Sequence, residues 1–334
     1  MKKKQSLVLI LLTLAISYIN ANPQFGKAEL FNDNWKFILA EVKDGANQTL
    51  DDSKWRELSL PHDWSVEGIY SPDKASCQGF LPGGVAWYRK TFTVPATEKD
   101  KKVFIYFEGV YNRSEVFING ISVGKRPNGY ISFMYDLTPY LKIGEKNVLS
   151  VQVDHSKERD SRWYSGSGIY RDVYLVYASP VHLDLWGVYF KATNITENKA
   201  DVTVETTIKN ESNAATEIQV LNEIIDPLTG KIVASVSKKQ KTEAGKKMLV
   251  SQMLTVNKPK RWSLEMPNLY TVKTTVKQNG KVIDQNEQNH GLRTLTFDPN
   301  KGFALNNVRT KMKGVCIHHD AGTLGSAVPR EVWK

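Results

Sequence analysis

The chain has 334 residues, 24% of them charged, and a formal net charge of +10 at neutral pH. That length suits two or three domains. The basic residues lie in scattered clusters such as Lys238-Lys239-Gln240-Lys241, whereas nucleic-acid binding needs a basic stripe or a recognisable module, so we expect no nucleic-acid partner. The two cysteines, Cys77 and Cys316, indicate neither a disulfide framework nor a zinc site, and a disulfide between them stays open.

The first 21 residues have the pattern of a secretory signal peptide. Three lysines at positions 2 to 4 precede the apolar run Leu7–Ile16, and a small-residue exit ends at Ala21. This run is too short to span a bilayer, and no later run is longer. We therefore expect cleavage near Ala21, which removes three lysines and lowers the net charge from +10 to about +7. The expected location is secreted or periplasmic, with no membrane span.

Residues 31–180 show short strands that turn signals interrupt at intervals of about ten residues, a pattern typical of a β-sandwich. Lys102–Phe107, Ser114–Ile118 and Val148–Val153 are predicted strands. Asn119-Gly120 predicts a two-residue hairpin, because both residue types tolerate positive φ. We expect four large side chains in this region to be structural rather than functional: His62, Trp64, Trp87 and Tyr88.

Residues 181–294 predict a second all-β domain of immunoglobulin-like size. Val202, Val204 and Ile208 alternate with polar residues, as in a half-buried strand. Met248–Leu254 and Tyr270–Val276 predict further strands. We find no candidate chemistry here and expect a spacer and packing partner.

Residues 295–334 predict the first step of a β/α unit. Lys311–Ile317 is an apolar run that indicates a strand, His318-His319-Asp320 follows it, and Pro329 suits the first turn of a helix. The His-His-Asp run invites a metal interpretation. Adjacent side chains point in different directions, however, and a third spaced ligand is missing, so we expect no metal site.

The stretch Asp160–Val173 is the best candidate for a binding loop. It combines an acid, an arginine and two aromatic residues with Gly166 and Gly168, which permit a tight turn before a predicted strand. Loops that a sheet carries are usual places for binding sites. The alternative is a purely structural turn in which Asp160 and Arg162 pair on the surface.

The chain resembles the N-terminal part of family 2 glycoside hydrolases, most closely their secreted β-galactosidases. The resemblance spans nearly all of the mature chain, and it rests on the order of several motifs rather than on a single one. These motifs are residues 31–37 (FNDNWKF), 60–65 (LPHDWS), 82–90 (PGGVAWYRK), 107–110 (FEGV), 116–120 (VFING), 160–173 (DSRWYSGSGIYRDV), 261–263 (RWS), 267–270 (PNLY), 291–293 (GLR) and 313–315 (KGV) with His318.

The resemblance implies a jelly-roll sugar-binding sandwich at 22–180, an immunoglobulin-like sandwich at 181–294 and the start of a (β/α)₈ barrel at 295–334. It also implies hydrolysis of terminal β-galactosides with retention, by two carboxylates about 5 Å apart. In this family both are glutamates late in a barrel of about 250 residues, and 40 residues of that region are present. We therefore assign no catalytic residue and expect this chain alone to be inactive.

The resemblance also implies substrate contacts. An acid at the position of Asp160 reaches into the barrel mouth and accepts hydrogen bonds from sugar hydroxyls, and His318 lies where a family histidine contacts the sugar. Arg162 and Trp163 are candidates to line the same pocket, with packing against the barrel as the alternative. His319 and Asp320 are interpreted as neighbours. The expected partner is a β-galactoside oligosaccharide or glycan. No cofactor is required, while Na⁺ or Mg²⁺ in the full-length enzyme and the oligomeric state stay open.

Three hypotheses remain at this point. The chain is the N-terminal piece of a secreted β-galactosidase, with a tail that we expect to be poorly ordered or sticky from about Phe297, because an isolated barrel strand lacks neighbours. Alternatively, it is a non-catalytic carbohydrate-binding protein. In the third hypothesis it complements a separately encoded barrel.

Overall fold

The structure is a computed structural model that describes residues 23–157 and 161–333. Asp160 and the predicted signal peptide therefore lie outside the described residues. Within those ranges the regular structure is β-strand with short 3₁₀ turns, so the prediction of a mainly β chain is confirmed. The described part contains no helix with the length and hydropathy that a membrane crossing requires.

The first domain is a sandwich of two antiparallel sheets. One has the order β3-β2-β4-β9-β6-β7 and the other β1-β10-β5-β8. Their inner faces enclose a core that includes Trp35, Tyr88, Ile105 and Val151. The strands are β1 (Lys27–Leu30), β2 (Trp35–Ile38), β3 (Arg56–Leu58), β4 (Gly84–Thr93), β5 (Lys102–Phe107), β6 (Ser114–Ile118), β7 (Ile121–Arg126), β8 (Phe133–Asp136), β9 (Lys146–His155) and β10 (Val173–Ala178).

Local sequence explains the hairpin between β6 and β7. Asn119 and Gly120 both have positive φ, 51° and 86°, which is the geometry of the tight turn that matches strand twist. The predicted hairpin is confirmed, and so is the burial of the four side chains that we expected to be structural, which are His62, Trp64, Trp87 and Tyr88.

The second domain is another sandwich, with sheets of order β11-β12-β15 and β14-β13-β16-β17. In β12 fully buried residues alternate with half-buried ones, as the apolar pattern predicts. The strands are β11 (Val181–Thr193), β12 (Lys199–Asn210), β13 (Thr216–Ile225), β14 (Ile232–Thr242), β15 (Lys247–Asn257), β16 (Tyr270–Gln278) and β17 (Lys281–His290).

The third segment, residues 295–333, begins with a small sheet of order β18-β19-β20. Lys311–Ile317 is irregular, so the prediction of a strand there is wrong for this structure. Within the described residues no neighbouring strand pairs with it, and Val315 is 84% exposed. The predicted helix start is a single 3₁₀ turn. The elements of the third segment are β18 (Leu295–Asp298), β19 (Gly302–Leu305), β20 (Val308–Arg309) and 3₁₀ turns at Gly322–Leu324 and Arg330–Trp333.

The first domain also contains short 3₁₀ turns. They are Ser65–Glu67, Ser76–Gln78, Ala96–Glu98 and Thr138–Tyr140.

Candidate functional site

Residues 161–168, which we call the glycine loop, connect the two sheets of the first domain where they face the third segment. Gly166 and Gly168 have φ of +69° and +127°, values that side chains disfavour. A Cβ at Gly168 would lie 2.4 Å from the hydroxyl of Tyr88. The prediction that these glycines form a tight turn is therefore confirmed. Ile169 and Tyr170 are buried but precede β10, which begins at Val173.

The carboxylate of Asp63 lies under the glycine loop and accepts five hydrogen bonds. Its Oδ1 accepts the backbone N–H groups of Ser65 (3.0 Å) and Ser167 (2.9 Å). Its Oδ2 accepts the hydroxyl of Tyr164 (2.6 Å) and both the backbone N–H (2.8 Å) and the hydroxyl (3.0 Å) of Ser326. One side chain, 3% exposed, therefore joins the first domain to the third segment.

Neutral donors surround this buried charge. No ion pair of Asp63 occurs in the part of the chain that the structure describes, so hydroxyl and amide dipoles stabilise it. Burial raises the pKa of Tyr164, and the neighbouring charge of Asp63 raises that pKa further. Tyr164 therefore stays protonated and donates to the carboxylate at all working pH values.

A buried polar network holds the loop from below. The hydroxyls of Ser65 and Ser167 lie 2.6 Å apart, and Ser167 Oγ is 2.7 Å from Nδ1 of His155. Nδ1 of His62 is 2.7 Å from the hydroxyl of Tyr88, and burial lowers the pKa of His62. Because each of these groups is paired, the network fixes one loop conformation.

Two aromatic residues form the outer rim of the loop. The indole N–H of Trp163 donates to the hydroxyl of Tyr130 at 3.0 Å, and the two side chains are 45% and 43% exposed. The Tyr130 ring lies edge-on to His319, 5.7 Å between centroids, and His319 Nε2 is 3.2 Å from the carbonyl of Ser165. Half-exposed rings beside polar groups suit the mixed surface of a sugar.

The structure places the predicted site residues unevenly. Arg162 and His318 are exposed, while Trp163 is part of the rim. The histidine that contacts the loop is His319, which sequence reasoning treated as a neighbour of His318. Asp160 lies outside the described residues.

Sequence reasoning also missed Tyr130. Its position depends on Asn128, whose side-chain oxygen accepts the backbone N–H groups of Tyr130 (2.8 Å) and Ile131 (3.0 Å). The Asn128-Gly129 pair before an aromatic residue was a turn signal that could have drawn attention to Tyr130.

A groove of about 550 Å³ lies where the first domain meets the end of the third segment. Glu108, Asp172 and Tyr174 line one side, and Arg330 and Trp333 line the other. Burial, and then the charge of Asp172, raise the pKa of Glu108 to about 7. Its Oε1 is buried without a hydrogen-bond partner.

The described residues contain no group of three His, Cys, Asp or Glu side chains that could hold a metal ion. Cys77 and Cys316 are free thiols in this structure.

Comparison with known proteins identifies the family. Residues 29–180 match Glycosyl hydrolases family 2, sugar binding domain, and residues 181–293 match Glycosyl hydrolases family 2. The chain belongs to glycoside hydrolase family 2. The two matches adjoin each other and together cover both sandwiches.

The similar proteins are about two to three times as long as this chain. The β-galactosidase BoGH2A of Bacteroides ovatus is 46% identical over 300 residues, covering 89% of this chain and 35% of that protein. A putative β-glucuronidase of Formosa agariphila is 40% identical, covering 91% of this chain and 29% of that protein. The crystal structure of a β-glycosidase from Bacteroides vulgatus superposes with a TM-score of 0.83 at 43% identity, covering 92% of this chain and 39% of that one. The chain thus spans about a third of the length of the curated relatives it matches.

Proposed function

We propose that this chain forms the N-terminal, substrate-orienting part of a secreted family 2 glycoside hydrolase that hydrolyses terminal β-galactosides with retention of configuration. The observation that carries the proposal is the glycine loop, because it presents an aromatic rim of the sugar-binding domain beside His319 of the third segment. The 46% identity to a protein named β-galactosidase supports galactose as the sugar.

In this proposal the chain binds and orients, and a barrel supplies the reacting carboxylates. Retention needs a nucleophile and an acid/base about 5 Å apart. Asp63 is fully occupied by five donors, so it is not available for this chemistry. Asp160, Arg162, Trp163 and His318 are proposed to contact the sugar, and no catalytic step is assigned to them.

The test is to express the gene to its own stop codon and assay the product on nitrophenyl β-galactoside and nitrophenyl β-glucuronide. These two substrates are compared because relatives of both names exist. Galactoside hydrolysis should exceed glucuronide hydrolysis by at least about 100-fold in kcat/KM, because the carboxylate of a glucuronide needs a cationic partner in the site. NMR of the first product should show the β-anomer. A preference for glucuronide, or an α-anomer as first product, would contradict the proposal.

A complementing role is a second candidate. Met312, Val315 and Ile317 are each more than 70% exposed in the segment before His318, and such a run of apolar side chains marks an interaction surface. Adding a separately produced barrel to the 334-residue chain should then generate hydrolysis that neither part has alone. If the mixture stays inactive while the chain binds lactose in a calorimeter, a non-catalytic binding role is favoured.

A further inference from the structure

Few hydrogen bonds join the first domain to the third segment. Among the described residues there are three, and two of them connect Asp63 to Ser326. The third connects His319 to Ser165, on the same glycine loop. Two of the three hydrogen bonds between the first domain and the third segment in the described residues therefore converge on one carboxylate.

The two oxygens of Asp63 have separate tasks. Oδ1 accepts only N–H groups of the first domain, from Ser65 and Ser167. Oδ2 accepts both donors of Ser326 in the third segment, together with Tyr164 of the loop. The carboxylate of Asp63 thus binds both the glycine loop and the third segment and fixes their relative position.

Two glycines leave room for this carboxylate. A Cβ at Gly166 would lie 2.4 Å from Oδ2, and a Cβ at Gly325 would lie 2.3 Å from the same atom. Both glycines have positive φ, +69° and +56°. One glycine belongs to the loop and the other to the third segment, so both sides of the contact are shaped around Asp63.

We propose that Asp63 is a positioning residue that sets how the sugar-binding domain docks on the third segment, and hence where Trp163 lies relative to His318 and His319. The consequence of this inference for substrate binding rests on the proposed function.

Asp63→Asn is a selective probe of this arrangement. The amide keeps one accepting oxygen, which two backbone N–H groups hold at the Oδ1 position. The NH₂ group then faces the N–H of Ser326, and two donors cannot bond each other. The hydroxyls of Tyr164 and Ser326 can rotate to accept, whereas the backbone N–H of Ser326 cannot. The substitution should release the third segment and leave the loop in place.

Asp226→Asn is the matched control. Asp226 is also a buried acid, 7% exposed, and it accepts the N–H groups of Leu228 and Thr229 at 2.9 Å and the ammonium of Lys260. It lies in the second domain, away from the glycine loop. Loss of this charge should disturb the turn at Asp226 and its ion pair with Lys260.

The experiment combines amide hydrogen exchange on the 334-residue chain with kinetics on the complete gene product. In Asp63→Asn, exchange across residues 321–327 should rise about tenfold or more, while peptides that contain Ser65 or Ser167 change less than about twofold. KM for the β-galactoside should rise about fivefold with kcat nearly unchanged. Asp226→Asn should change exchange only near residues 226–231 and around Lys260, and it should leave KM as in the wild type.

Wild-type exchange at 321–327 in Asp63→Asn, or a uniform rise over the whole chain, would overturn the inference. Increased exchange with an unchanged KM would overturn its functional part. If Asp63→Asn fails to fold, Ser326→Ala removes one donor only and should raise exchange at 321–327 about threefold; no rise there would also overturn it. A complete gene product that binds and hydrolyses no glycoside would defeat the proposed function, while the exchange result would still decide the positioning role.

Discussion

The first domain meets its two neighbours through joints of opposite character. Against the second domain it forms one continuous apolar cluster, in which Phe104 and Val176 pack with Leu183 and Val204, all at 1% exposure or less. Against the third segment it offers the carboxylate of Asp63, a histidine contact and a groove lined by charged residues. The contact with the second domain is mainly apolar, with the buried Asp284 also accepting the N–H groups of Gly26 and Leu183. The contact with the third segment has a larger share of individual hydrogen bonds.

This difference predicts how each joint fails. Apolar burial is spread over many side chains, so the joint with the second domain should weaken in proportion to the volume removed. A buried carboxylate is satisfied only by its exact donors, so the joint with the third segment should open when one atom changes. The contact with the third segment is therefore the one through which the position of Trp163 relative to His319 can be altered without unfolding the chain.

The largest expected effect comes from Leu183→Ala at the apolar joint. Leu183 is fully buried, so its truncation should lower the free energy of unfolding by about 3 kcal/mol. Denaturant titration measures this change. Leu228→Ala, at a side chain that is 72% exposed, is the control and should change stability by less than about 0.5 kcal/mol. Equal losses in both variants would show that Leu183 is not part of a packed joint.

Low pH should also weaken the contact between the first and second domains. Burial alone would raise the pKa of Glu211, but hydrogen bonds from His182 and Lys209 outweigh it and lower that pKa to about 2, from an ordinary value of 4.5. Because the folded-state pKa is depressed, this stability is present above pH 4.5 and is lost as the pH falls towards 2. The loss, discounted for partial exposure, should be about 2 kcal/mol.

The measurement for Glu211 is the free energy of unfolding between pH 6 and pH 2.5 in the wild type and in Glu211→Gln. The gap between the two should narrow steadily on acidification. A gap that stays constant over this range would contradict the assignment of the acid sensitivity to Glu211.

The contact between the first domain and the third segment, which we call the polar joint, should respond to pH in the opposite sense. The pKa of Glu108 is raised to about 7 in the folded chain. The contribution of protonated Glu108 to the free energy of unfolding is therefore present in full below about pH 4.5, and it is lost as the pH rises through 7. Glu108→Gln should therefore stabilise the chain at pH 8 by about 1 kcal/mol after discounting for exposure, and change little at pH 4.5. Thermal unfolding at the two pH values tests this. Destabilisation at pH 8 would mean that ionised Glu108 has a favourable partner.

The smallest effect is expected at the aromatic rim. In the complete gene product, Trp163→Ala should raise KM for a β-galactoside about fivefold, which corresponds to about 1 kcal/mol of lost contact, and Tyr130→Phe about twofold, because the indole N–H loses its acceptor. Tyr189→Ala, at a more exposed ring of the second domain (59%), should leave KM unchanged. An unchanged KM in Trp163→Ala would assign the rim to packing rather than to substrate.

Patterns that repeat along one strand or lie within one turn were readable from the sequence. The alternation of Val202 and Val204 predicts the buried face of β12, and Asn119-Gly120 predicts its hairpin. In each case the residues that decide the structure are neighbours in the chain. The same holds for Gly166 and Gly168, whose positive φ follows from the glycine-rich run.

The site depended on partners that the sequence does not reveal. Asp63 lies in the motif at residues 60–65, which by itself indicates only a turn. Its contact with the third segment is made by Ser326, which is 263 positions away. Lys311–Ile317 was misread because an apolar run looks the same whether or not a neighbouring strand covers it. The contact of His319, rather than His318, with the loop was likewise decided by the path of the backbone.

The most direct test of the polar joint uses the two native cysteines. Cys77 lies in the first domain and Cys316 in the third segment, and both thiols are free and retain exposed surface. Spin labels at these positions report the distance across the joint by pulsed electron resonance. We expect the same distance distribution in the wild type and in Asp226→Asn, and a broader one in Asp63→Asn. A distribution that stays equally narrow in Asp63→Asn would contradict the claim that this carboxylate holds the third segment in place.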